Sequence, residues 1–191
     1  MVNCLLDYTF KIKATGVERE MKKSLFAMIG LMLVFIIAAC EGSAANEKED
    51  IKEMVHEYSI GNFDDVSASI TSHELIVTDS NDNKTSYDLP KGEFFVSIAP
   101  FVEQTHECAI HSLTGCQGEL AEKEFGVYIE DEAGNAVVDE TMASLENGFI
   151  DLWLPRDQTF QVKIEHDGKQ AESELSTFEG DNTCITTMQL M

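Results

Sequence analysis

The stretch QTHECAIHSLTGCQGEL, residues 104–120, carries most of the reactive side chains in this chain. Cys108 and Cys116 flank His111, and His106 stands two residues before Cys108. A third cysteine, Cys184, lies close to the end of the sequence. Thiolate and imidazole are soft donors that select Cu(I) or Zn(II) over Mg or Ca. Cys108 and His111 are separated by two residues, a spacing with which a loop brings two ligands to one ion. Three thiolates, or two with an imidazole, suit the low coordination number that Cu(I) tolerates. Three cysteines with one histidine would equally supply the four ligands zinc prefers. An extended backbone points the side chains of His106 and Cys108 to the same side.

Two other chemistries use the same residues. A disulfide between two of the three cysteines would hold the long loop down and leave the third thiol over. A thiol–disulfide couple is the other, since thiolates reduce Cu(II). A general oxidoreductase normally carries Cys-x-x-Cys at a helix start, where the attacking thiol's pKa is lowered; this chain has none. The sequence therefore ranks metal binding first, metal-coupled redox next and general exchange last.

The compartment follows from residues 21–40, MKKSLFAMIGLMLVFIIAAC. Two lysines precede an apolar run from Leu25 to Ile37. The pattern is an export signal, and the run is short of the ~20 apolar residues of a spanning helix. Ile37-Ala38-Ala39-Cys40 resembles a bacterial lipobox, with Cys40 as the lipidated first residue of the mature protein. Met21 fits this signal as a start better than Met1. Residues 1–39 are read as a removed leader and 40–46 as a polar tether. An exported chain meets oxidising conditions, where disulfides persist.

The net charge is −22 over 191 residues. Residues 1–39 hold five Lys or Arg against three Asp or Glu, so residues 40–191 carry −24. Such a surface repels nucleic acid and anionic headgroups. It keeps an exported protein soluble and by itself names no function.

The elements that must position the cysteines are mostly strands. Ile51, Met54, Val55 and Tyr58 make one apolar helical stripe, with His56 off it and Gly61 as a stop. HELIVTD and KTSYDL flank SNDN as a hairpin. EFFVSIAPF, FGVYIED, AVVDETM, FIDLWL, TFQVKIEH and KQAESELSTF are short strands between turn signals. Trp153 is a core anchor within one of them, while His73 and His166 border turns and are expected in solvent. The expected class is α+β: a small α+β unit over 47–90, then an antiparallel β-sandwich-like domain over 91–191. Cys184 opens a terminal strand. Placed beside the strand that feeds the 101–118 loop, it would join the other two sulfurs.

FFVSIAPFVEQTHECAIHSLTGCQGEL, NGFIDLWLPR and STFEGDNTCITTMQL resemble the CueP family of bacterial cell-envelope copper-binding proteins. The resemblance covers about residues 47–191. It implies a copper-resistance metallochaperone, not an enzyme, that sequesters Cu(I) outside the cytoplasm and passes it to a secreted enzyme such as superoxide dismutase. It places the family's cysteines on Cys108, Cys116 and Cys184, and its histidines on His106 and His111. It also implies a homodimer built through the first domain, and some capacity to reduce cupric and ferric ions. The lipobox departs from the soluble periplasmic members of the family and points to a tether on the outer face of a membrane.

Overall fold

The computed structural model describes residues 41–191. The export signal and Cys40 lie outside the described residues. Residues 47–191 form a compact unit. Among the described residues, its three apolar clusters begin at Ile51.

Among the described residues, one helix, α1 (Glu41–Ile60), precedes eleven strands. It takes in most of the stretch expected as a tether, because EGSAANEKED contains good helix formers and no proline. The first sheet contains β1 (Ser67–Ile70), β2 (Glu74–Thr78), β3 (Lys84–Asp88) and β5 (His111–Ser112), in the order β3-β2-β1-β5. The second contains β6 (Glu124–Asp131), β7 (Ala136–Ala143), β9 (Thr159–His166) and β10 (Lys169–Ser176), in the order β10-β9-β6-β7. The third contains β4 (Glu93–Ile98), β8 (Ile150–Pro155) and β11 (Cys184–Ile185), in the order β11-β4-β8. The class is α+β with a sheet-rich body, as the sequence led us to expect.

The third sheet is the middle layer, and the pleat of β4 explains why. Successive strand residues face opposite sides. Phe94, Val96 and Ile98 therefore pack with Phe125, Val127 and Ile129 of β6 and Phe160, Val162 and Ile164 of β9. Phe95, from the other face, packs with Val55 of α1, Ile70 of β1, Leu75 of β2 and Leu113. Phe94 to Ile98 are all buried. β8 repeats the alternation, with Ile150, Leu152 and Leu154 on the sandwich side. Its Trp153 joins the helix side, edge-on to Phe95 at 5.3 Å between centroids. Lys52 of α1 lies over the Trp153 ring at 5.2 Å and pairs with Glu93. Each fully buried phenylalanine contributes about 1.5–3 kcal/mol of transfer free energy, so β4 anchors both layers.

The helix stripe meets the second core as expected, with Val55 buried and Ile51, Met54 and Tyr58 packed around it, while His56 is exposed. The SNDN hairpin forms between β2 and β3. Asp79 accepts hydrogen bonds from the backbone of Asn81 and Asn83 across its tip. The expectation for His166 needs correction. Only 16% of its side chain is exposed; it stacks on Phe125, and its Nδ1 meets the Glu124 carbonyl at 2.8 Å. His73 is open to solvent as expected, at 61%.

One carboxyl ties the helix to the middle sheet. Asp151 of β8 accepts hydrogen bonds from Ser59 of α1 at 2.6 Å and from Ser97 of β4 at 2.5 Å. Loss of hydration nevertheless raises its pKa, against the two hydroxyls and the field of His56. An acid whose pKa rises on folding holds its proton more tightly in the folded state. Stability then falls as pH climbs from the unfolded value of about 3.9 through the raised folded value, and levels off above it. Asp151→Asn removes this titration. We expect the variant to be at least as stable as the parent at pH 7 and to lose that advantage at pH 4, in urea unfolding at both values. A variant weaker at pH 7 than at pH 4, relative to the parent, would show that the charged form is the favoured one.

Candidate metal centre

The centre is built where β4 ends. Ala99 and Pro100 leave the middle sheet, and residues 101–119 form a long excursion before the chain returns toward β6. The neck of this excursion is closed by one side chain. The Glu119 carboxylate accepts backbone hydrogen bonds from Val102, Glu103 and Gln104 at 2.7, 3.0 and 3.2 Å. Those donors, Glu103 first, hold its pKa below the ordinary carboxylate value. The returning limb is pressed against the turn before β8. Gly118 donates to the Asn147 carbonyl at 2.6 Å. A Cβ on Gly118 would come within 2.7 Å of the Gly148 carbonyl oxygen, and one on Gly148 within 2.6 Å of that of Gly118. Gly148 also has φ +81°, which side chains disfavour. Two backbones can touch here because neither residue has a side chain.

Within the excursion, His111 and Ser112 form β5 against β1, with Ile70 opposite His111. This two-residue strand was read from sequence as loop. It is too short to show an alternating pattern, and only the open edge of β1 selects it. From the other end of the chain, β11 pairs parallel with β4, with Cys184 opposite Ser97. The Thr183 and Cys184 N–H groups both reach the Ala109 carbonyl, at 3.0 and 3.2 Å. The terminal strand thus brings its cysteine to the loop.

Cys108, His111, Cys116 and Cys184 meet here, with their potential ligand atoms all within 4.8 Å of one another. Cys108 and Cys184 are joined in a disulfide, with Cα atoms 5.6 Å apart. Cys116 is a free thiol whose Sγ lies 3.6 Å from that of Cys108. Phe149 and Ala99, both buried, complete an apolar cluster around the three sulfurs. The His111 ring packs on Phe149 at 4.5 Å between centroids and lies 6.3 Å from Phe95.

His111 is 0% exposed, and neither ring nitrogen has a hydrogen-bond partner. A buried polar group without a partner costs about 1–3 kcal/mol, so this ring calls for a reason. Burial, helped by the positive field of His106, pushes its pKa down to about 4. The ring is therefore neutral at pH 7, which is the form that ligates metals. Donors sharing one ion at ~2.0–2.3 Å lie at most about 4.6 Å apart. Four atoms within 4.8 Å of one another are close enough to serve one ion once the Cys108–Cys184 bond is reduced and its two sulfurs separate.

His106 stays outside this group. It is exposed and reaches only the edge of Phe149, at 6.4 Å between centroids. Phe149 was not singled out from the sequence as part of the site. Its place after the Asn147-Gly148 turn identifies a strand start, but nothing local says which cluster the ring enters.

The family described as periplasmic copper-binding protein CueP matches residues 50–189. The chain belongs to the CueP family. A solved structure described as the crystal structure of S.CueP is 35% identical, covering 75% of this chain and 88% of its own, with a TM-score of 0.69. No curated protein matches. All four clustered donors fall inside the matched residues, whereas Cys40 falls outside them. The chain is thus a member of a periplasmic, copper-binding family, and it carries a cysteine–histidine cluster fit for a metal.

The observed bonding sets a thiol count. A protein spanning residues 41–191 has three cysteines. Unfolded without reductant, it is expected to show one reactive thiol, and three after reduction. Peptide mapping should find Cys108 joined to Cys184. A Cys108–Cys116 or Cys116–Cys184 bridge would contradict this pairing.

Proposed function

We propose that this protein is an envelope copper carrier that holds one Cu(I) through Cys108, Cys116 and Cys184, with His111 as a fourth donor. The observation that carries the reading is the buried His111 ring, with both nitrogens unpartnered, facing three sulfurs. Soft sulfur donors in an apolar pocket suit Cu(I). The same four donors also match a zinc set, and the family's copper association favours copper. His106, on the exposed limb of the loop, is left outside the ligand set.

Loading requires an external dithiol reductant, which gives two electrons and two protons to the Cys108–Cys184 disulfide and is itself oxidised to a disulfide. Reduced protein is therefore the binding form, and reoxidation favours release. A second reading uses the same bond. Two thiols oxidised to a disulfide deliver one electron to each of two Cu(II) or Fe(III) ions and release two protons. The disulfide beside a free thiol has the composition of that product. A third reading makes the bond a staple in a lipoprotein without metal.

The cell-envelope context extends the proposal. Cys40, as the lipidated residue of a cleaved signal, would hold the protein on the outer face of a membrane. A secreted superoxide dismutase is the recipient suggested by the family resemblance, and the same resemblance suggests a homodimer.

Titration of reduced residues 41–191 with Cu(I) against a competing chelator, with Zn(II) in parallel, tests the carrier reading. One equivalent should protect all three thiols, and Cys116→Ser should weaken binding by at least tenfold. Unchanged affinity in that variant would remove Cys116 from the site. Weak binding of either metal by the reduced parent would favour the staple. Loss of two thiols on adding Cu(II) would favour the reductase. For the anchor, Cys40→Ala in the full chain should move the protein from the membrane fraction to the soluble envelope fraction. A chain that stays with the membrane regardless would exclude Cys40 as its attachment point.

A further inference from the structure

Thr183, the residue before Cys184, has only 1% of its surface exposed. Its hydroxyl makes two buried hydrogen bonds to distant parts of the chain. It donates to the Ile70 carbonyl of β1 at 2.6 Å and accepts from the His111 backbone N–H at 3.0 Å. Its own carbonyl accepts from Ser97 of β4 at 2.8 Å, and its N–H donates to Ala109 at 3.0 Å. One residue therefore joins the strand carrying Cys184, the strand that feeds the loop, the loop itself and the edge on which His111 sits.

The His111 ring has no polar partner of its own to orient it. Its direction is set by backbone position and by the aromatic packing of Phe149 and Phe95. The β1–β5 ladder is only two residue pairs long. The Thr183 hydroxyl is the side-chain bond that fixes the His111 backbone at that ladder. Valine has the same shape without the hydroxyl, and would take one buried hydrogen bond from each of the His111 N–H and the Ile70 carbonyl.

We propose that Thr183 is a positioning residue for the metal centre: its hydroxyl sets the His111 imidazole against the three sulfurs. The proposal rests on the reading of His111 as a ligand. Groups that orient metal ligands typically change metal affinity by about 10–100-fold when lost.

The test is a cycle on reduced residues 41–191, using Cu(I) against a chelator, with urea unfolding of each variant in parallel. Thr183→Val is expected to bind Cu(I) about tenfold more weakly, and Thr183→Ser to bind as the parent does. In a His111→Ala background, Thr183→Val should cost nothing further. The copper X-ray absorption of Thr183→Val should lose the nitrogen scattering that the parent and Thr183→Ser retain. If Thr183→Val does not fold, Thr183→Ser against Thr183→Ala makes the same comparison, since both lose the methyl and only one keeps the hydroxyl. Parent-like affinity in the variants lacking the hydroxyl overturns the proposal while leaving His111 a ligand. An equal loss with and without His111 also overturns it, showing a purely structural role. Parent-like affinity in His111→Ala alone removes His111 from the ligand set, and the proposal falls with it.

Discussion

The parallel pairing of β11 with β4 is the contact on which the site depends. It is only two residues long, yet it places Cys184 beside the strand that delivers Cys108. Backbone hydrogen bonds from Ser97 to Thr183, from Ala99 to Ile185, and from Thr183 and Cys184 to Ala109 hold that junction. A pairing this short is weak by itself. It persists because β4 is buried on both faces and cannot shift without disturbing two apolar cores. The rigidity of the middle layer is thus passed on to a terminal segment with little structure of its own.

The disulfide and the metal reading compete for the same sulfurs, and their energies are of different size. Closing a loop of 76 residues stabilises the folded chain by about 4 kcal/mol on the chain-entropy account. Binding of a structural metal to thiolates and imidazole is worth about 10–16 kcal/mol for zinc peptides at neutral pH. An ion held in that range more than offsets the lost cross-link. On the carrier reading the folded protein would have two closed forms, one joined by a bond and one by an ion. The surroundings suit both forms. Phe149 and Ala99 cover one side of the sulfurs, leaving Cys108 and Cys116 half-buried, and the sheets around them are fixed by cores that do not involve the cysteines. Glu119 and the Gly118–Gly148 contact keep the loop folded back whichever form is present.

His111 is where packing and chemistry conflict. A neutral imidazole sealed among aromatics, with two unsatisfied nitrogens, lowers stability. Locally unfavourable groups of this kind concentrate at functional sites. The surrounding fold can carry the cost because β5 and Thr183 hold the His111 backbone independently of its ring.

Residue type and spacing alone carried much of this account. The short strand-like runs EFFVSIAPF and FIDLWL, the apolar stripe of the helix and the turn signals between strands were enough for an α+β protein with a sheet-rich body, since strand composition and turn chemistry are local properties. The clustering of soft donors in an exported chain pointed to a metal, since donor chemistry belongs to side chains wherever they sit. Distance was not legible. Whether His106 or His111 faces the sulfurs depends on the edge of β1, a partner more than forty residues away in sequence. Which two cysteines are joined depends on the register of β11 against β4. That Phe149 covers the cluster depends on how a turn packs against the returning limb of the loop. Those facts belong to the tertiary structure, because each is decided by which remote backbone offers a free hydrogen-bonding edge, and no local pattern encodes that choice.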